Sequence, residues 1–120
     1  MSDFTIELHE PAARNDMAVI RLTGTLDSYS LQELERSLGD LLQAGRHHLV
    51  INCQKLKFIS SAGMGLFLGT LGEVEKKGGS LSFAQISQPE VHDAMNILGF
   101  FEVFKVFDQE TQAVQDCHKS

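Results

Sequence analysis

The feature that most constrains this chain is a junction where a strand hands over to a helix. The apolar run Leu49-Val50-Ile51 leads toward Phe58-Ile59-Ser60-Ser61-Ala62-Gly63-Met64-Gly65, and a helical pattern follows from Met64 to Glu75. Two adjacent hydroxyls therefore stand at a helix N-terminus, where unsatisfied N–H groups and about half a positive charge accommodate an anion. Two readings of these eight residues stay open. One serine caps the helix, a common role for serine, or one accepts a phosphoryl group.

The flanking pattern builds an α/β domain around this junction. Phe4-Thr5-Ile6-Glu7-Leu8 alternates apolar and polar, the period of a half-buried strand. Pro11 to Asp16 interrupts it, and Met17 to Leu22 reads as the next strand, ended by Gly24. The loop Gly24 to Ser30 is rich in hydrogen-bonding side chains, and Ser30 with Glu33 fits a capping box. Leu31, Leu34, Leu38, Leu41 and Leu42 recur at helical spacing up to a stop at Gly45. His48 to Cys53 reads as a central strand, apolar enough for burial on both faces. Gly78-Gly79 closes the second helix, and Leu81 and Phe83 mark a further strand. Ser87 with Glu90 forms a second capping box, before a helical face of Val91, Ala94, Met95 and Leu98 that ends at Gly99. Val103 to Phe107 is the last strand and Asp108 to Asp116 a short terminal helix, with His118 to Ser120 frayed. The order is β-β-α-β-α-β-α-β-α, which favours a mixed, mostly parallel sheet with about four helices. At 120 residues the chain reads as a single domain over 1–120, its core spanning about 4–116.

Composition excludes several classes of partner. The net charge is −6 with no Lys/Arg run, which argues against nucleic acid or an anionic membrane surface. Met1 to Glu10 is polar and mixed, unlike a signal peptide, and no apolar segment approaches the ~18 residues of a membrane span. Cys53 and Cys117 lie far apart in no motif, so the expectation is a cytoplasmic, reduced protein with Cys53 in a buried strand and Cys117 in the tail.

Inside the second helix, Met64, Phe67, Leu68, Leu71 and Val74 share one face at about 100° per residue. Gly65, Gly69 and Gly72 form a separate stripe on the side where Ser61 falls, and Leu66 lies opposite Met64. A glycine inside a helix costs about 1 kcal/mol relative to alanine. Either the helix packs closely on a neighbour there, or it offers another protein a smooth strip beside an outward Leu66.

These segments together resemble the STAS-domain family, specifically the single-domain bacterial anti-sigma factor antagonists. The resemblance covers nearly the whole chain through Val19 to Asp27, His48 to Cys53, Leu56 to Gly65 and Ile97 to Phe101. The family's junction reads Asp-Ser-Ser-Gly-Leu-Gly, with the first of those serines phosphorylated. Aligned on the glycine, the acceptor falls on Ser61, the family aspartate on Ser60 and the second serine on Ala62. The resemblance implies a STAS-like fold and a partner switch. The unmodified protein binds an anti-sigma factor that is a serine kinase with a histidine-kinase-like ATPase fold. Phosphorylation of Ser61 releases it, and a serine phosphatase resets it. Partner contacts are then expected at Asp27, Ser28, Ser60, Ala62, Gly63, Met64, Gly65 and Leu66. Asp27 matches the family's loop aspartate; it either caps the loop or helps orient the serine.

Other chemistry finds little support. His47 and His48 point to opposite faces of a strand, which disfavours joint metal binding, and Cys117-His118 lacks further ligand spacing. The glycines around Ser61 lack the Gly-Lys-Ser/Thr of a phosphate-binding loop. No cofactor, metal or enzymatic activity is expected. The alternative to a switch is a constitutive STAS subunit of a transporter or signalling assembly; a small nucleotide-binding protein comes third.

Overall fold

The computed structural model describes residues 3–117; the frayed tail expected from His118 to Ser120 lies outside them. One five-stranded sheet runs in the order β1-β2-β3-β4-β5. β1 (Thr5–His9) is antiparallel to β2 (Met17–Leu26). β3 (His48–Ile59), β4 (Ser80–Ala84) and β5 (Lys105–Phe107) follow, each parallel to its neighbour. The parallel connections carry α1 (Leu31–Gln43), α2 (Ser61–Lys76), and the pair α3 (Pro89–Ile97) and α4 (Phe100–Val103); α5 (Glu110–Cys117) closes the chain. The α/β class, the mixed and mostly parallel sheet and the alternation of elements are those expected from the sequence, with one helix more.

β3 is the central strand, and its first six residues are all buried. The residues Leu49, Ile51 and Cys53 face the larger core, with Leu34, Leu38 and Leu41 of α1 and Met64, Phe67 and Val74 of α2. Val50 faces the other way, into a smaller core with Met17, Val19, Ala84, Ala113 and Cys117 under α5. The sheet therefore has a front covered by α1 to α4 and a rear that α5 covers over the N-terminal part of β2 and β3. Front packing is completed by an aromatic cluster: Phe83 meets Phe67 at 4.9 Å and Phe100 at 4.6 Å, both edge to face, a preferred geometry for ring pairs.

Several local expectations are corrected. Gly24 does not end the second strand; it takes φ +96 inside a β2 that continues to Leu26, and a Cβ there would lie 2.6 Å from the Asp3 carbonyl oxygen. Neither capping box forms. The Ser30 hydroxyl turns back into its own loop, donating to the Thr25 carbonyl at 2.6 Å. That of Ser87 donates to the Gln54 carbonyl at 3.0 Å, and Gln88 is the residue before α3. The strand expected over Val103 to Phe107 begins at Lys105, because Phe100 is drawn into the aromatic cluster and winds the preceding residues into α4. The terminal helix is shifted to Glu110–Cys117, and Cys117 is a buried residue rather than part of a loose tail. Leu68 and Leu98, expected on core faces, are about half exposed. Thr70 is buried in α2 instead, its hydroxyl satisfied by the Leu66 carbonyl at 2.8 Å.

Candidate functional site

The C-terminal ends of β2 and β3 lie side by side, Leu26 against Ile59. The next residue on β3, Ser60, donates its backbone N–H to the Leu26 carbonyl at 2.9 Å. This bond ties the start of α2 to the loop carrying Asp27, so two segments far apart in sequence share one edge of the sheet.

At that edge the two hydroxyls have different tasks. Ser60 is the N-cap of α2, with extended backbone (φ −85, ψ 165) and a side-chain oxygen that accepts from the Gly63 N–H at 3.2 Å. Its carbonyl accepts from Met64 N at 3.2 Å. Ser61 is the first helical residue and is exposed, and among the described residues its hydroxyl makes no hydrogen bond. The N–H groups of Ser61 and Ala62 open the helix without intrahelical partners, and the helix dipole adds its positive end there. Such a helix end supplies donors and a field that favour a nearby anion.

The Asp27 loop is fixed by its own side chains. Asp27 Oδ1 accepts from Tyr29 N at 3.0 Å and Ser30 N at 3.1 Å. The buried Ser30 hydroxyl accepts from Asp27 N at 2.9 Å. The Ser30 amide, followed by that of Tyr29, holds the Asp27 carboxyl below its ordinary range. It stands as a carboxylate beside the Ser61 edge, and Ser28 and Tyr29 project outward, Tyr29 at 86% exposure.

The remaining expected contact residues divide by burial. Ala62 and Gly65 are exposed with Ser61. Gly63 and Met64 are buried and support the edge from beneath; a Cβ on Gly63 would sit 2.9 Å from Leu26 Cδ2. Leu66 is not outward. It packs partly buried against the core, beside a groove between α1 and α2 that Gly39, Gly65 and Gly69 also line. Close packing does not explain the glycine stripe: a Cβ on Gly65, Gly69 or Gly72 would meet nothing within 4 Å. Two exposed aromatics at this edge, Tyr29 and Phe58, were not singled out by sequence; each sits in a quoted segment, without a spacing signal to set it apart.

No helix among the described residues is long and apolar enough to cross a membrane. The STAS domain family model matches residues 10–113. The anti-sigma F factor antagonist of Paenibacillus polymyxa is 26% identical over 99 residues, covering 82% of this chain and 84% of that protein. The unphosphorylated anti-sigma factor antagonist SpoIIAA superposes with a TM-score of 0.81 at 23% identity, over 97% of this chain and 98% of its own. The phosphorylated form of the Bacillus cell fate determinant SpoIIAA superposes at 0.70 and 22% identity, over 93% and 98%. The match spans most of the sequence and takes in the four strands from β2 to β5, so the chain belongs to the STAS domain family.

Proposed function

We propose that this protein is an anti-sigma factor antagonist controlled by phosphorylation of Ser61. The observation that carries the reading is the division of labour at the start of α2: Ser60 is held as the cap, whereas Ser61 is exposed and unbonded at a helix N-terminus. The unmodified protein binds an anti-sigma factor that is a serine kinase with a histidine-kinase-like ATPase fold. The surface it offers is the Asp27 loop, Ser61, Ala62 and the open glycine face of α2. The Ser61 oxygen bonds to the γ-phosphorus of ATP as the bond to the β-phosphate oxygen breaks, so ADP leaves and the hydroxyl proton is released. The product carries about −1.5 to −2 charge at neutral pH. That group is tolerated by the free protein at the helix end, but against a packed partner it clashes and loses hydration. A serine phosphatase restores the binding form. In this role the protein is a substrate and a binding module, not an enzyme.

The departures from the family's junction are compatible with this reading. Serine and aspartate cap helices about equally well, so Ser60 supplies the cap where relatives place a carboxylate. The test is incubation with the cognate kinase and ATP, with the product mapped by mass spectrometry. Phosphate is expected on Ser61, and a Ser61→Asp variant is expected to lose kinase binding that Ser61→Ala retains. Absence of phosphate on Ser61 together with equal binding by both variants overturns the switch in favour of a constitutive assembly subunit.

A further inference from the structure

The rear of the sheet is only half covered. α5 packs on the N-terminal half through Ala113 and Cys117. Its first turn is tied to the Arg21–Asn52 row, where Glu110 accepts from Arg21 Nε at 2.9 Å and from Asn52 Nδ2 at 2.8 Å. Beyond that row the β2–β3 ladder is irregular at two places, pairing Arg21, Thr23 and Thr25 with Asn52, Lys55 and Phe58. Every third residue of β3 thus faces the rear, and Leu56 and Ile59 are turned into the front core. Strict alternation after Cys53 would have pointed Lys55 and Lys57 at that core. Bulges re-aim side chains in this way. Lys55 is left exposed beside a recess of about 340 Å³ that it lines with Thr23, Arg21, Glu7 and Glu110, and Phe58, in the next row, is 48% exposed.

Two features of this open face point to its occupant. The first is charge: in a chain of net charge −6, Lys55 forms no ion pair among the described residues, whereas Arg21 is engaged by Glu110 and Glu7. The second is continuity: Phe58 lies two residues before Ser60, and its row partner Thr25 two before Asp27. We propose that the surface gripping the switch partner continues from Ser61 past the strand ends onto this rear face, where Phe58 anchors an apolar side chain and Lys55 meets a carboxylate on an acidic segment of that partner. The inference rests on the partner-switch reading and adds a surface and a chemistry to it. It also gives phosphorylation a second lever, because a phosphate on Ser61 repels an acidic segment bound beside it.

The experiment is calorimetric titration of the unphosphorylated protein with its cognate kinase at low and high salt. Lys55→Glu is expected to weaken binding about tenfold, with the loss shrinking at high salt as the charges are screened. Phe58→Ser is expected to weaken it similarly at both salt concentrations. Lys76→Glu, at the far end of α2, serves as the control and is expected within about twofold, the range of an uninvolved surface position. Thermal melts confirm that each variant folds, and Lys55→Glu reads the surface even where Phe58→Ser does not fold. Wild-type binding by Lys55→Glu and Phe58→Ser, with Ser61→Asp still releasing the kinase, overturns the rear-face surface alone. Loss of binding by Lys55→Glu with none by Ser61→Asp supports the surface and refutes the switch.

Discussion

Ser60 and Leu26 are joined by a 2.9 Å hydrogen bond from the Ser60 amide to the Leu26 carbonyl, and through it two loops become one surface. The Ser60 side chain then caps α2 through Gly63 N, leaving Ser61 to face solvent. The two serines are separable by stability alone. Ser60→Ala removes the cap and is expected to cost about 1 kcal/mol. Ser61→Ala removes no hydrogen bond found among the described residues and is expected to stay within about 0.5 kcal/mol of wild type. Urea denaturation of both variants at neutral pH checks the order; an equal loss would contradict the assignment of Ser60 as cap.

The glycines of α2 predict a conflict between stability and binding. Gly65 and Gly69 have open space where a Cβ would stand, so nothing in the fold requires them. Alanine at either is expected to stabilise the free protein by about 1 kcal/mol, the helix-propensity difference. On the proposed function the bare α1–α2 groove is part of the partner surface, so the same variants are expected to bind the kinase more weakly. Gly24 gives the opposite result: φ +96 and the 2.6 Å approach to Asp3 make Gly24→Ala destabilising by about 1–3 kcal/mol. Thermal melts paired with titrations against the kinase separate the two classes of glycine.

What could be read from the sequence follows from how local its causes are. The leucines of α1 and the apolar run of β3 carry their periods in adjacent residues, so helix, strand and sheet centre were legible. The Ser60-Ser61 junction was legible for the same reason. Both capping boxes failed because a hydroxyl found another carbonyl: Ser30 that of Thr25 within its own loop, Ser87 that of Gln54 on β3. The second half of β3 could not be phased, since its rear-facing residues come every third position and only the partner strand reveals that. Leu68 was misplaced because Thr70 took the core position with its hydroxyl satisfied inside the helix. Tyr29 and Phe58 carry no signal in the sequence for a different reason: exposure is a property of the folded surface, and neither sits in a spacing pattern.

The clamp on α5 predicts an acid-sensitive contribution to stability. Arg21 holds Glu110 through bonds of 2.9 Å from Nε and Nη2, and Asn52 adds a third. The Arg21 hydrogen bonds, opposed by burial and assisted by Asn52, keep the Glu110 carboxyl below its ordinary value. A carboxyl depressed by folding stabilises the native state above its unfolded pKa and loses that effect as pH falls through the folded one. Glu110→Gln is therefore expected to cost about 1–2 kcal/mol at neutral pH, the scale of a hydrogen bond to a charged group. The difference from wild type is expected to shrink progressively below the ordinary carboxylate range. Denaturation midpoints of the two proteins across acid pH check the sign; a gap that widens on acidification would contradict it.

The cysteines predict a reactivity pattern that reports on α5. Cys53 is buried in the central strand, and desolvation pushes its thiol up to about 12. Cys117 ends α5 at 3% exposure, its thiol raised chiefly by burial, with Ser80 Oγ 3.9 Å from its sulfur. Thiolate is the reactive form, so both residues are expected to resist an aromatic disulfide reagent at neutral pH in the native protein and to react fully in denaturant. Of the two, Cys117 is expected to react first as denaturant rises, because α5 is only eight residues long and packs on one face of the sheet, whereas Cys53 is released only when β3 leaves its neighbours. Labelling followed by peptide mapping along a urea series measures the order. Fast labelling of Cys117 without denaturant would restore the loose tail that its position near the chain end suggests, and would remove α5 from the fold described above.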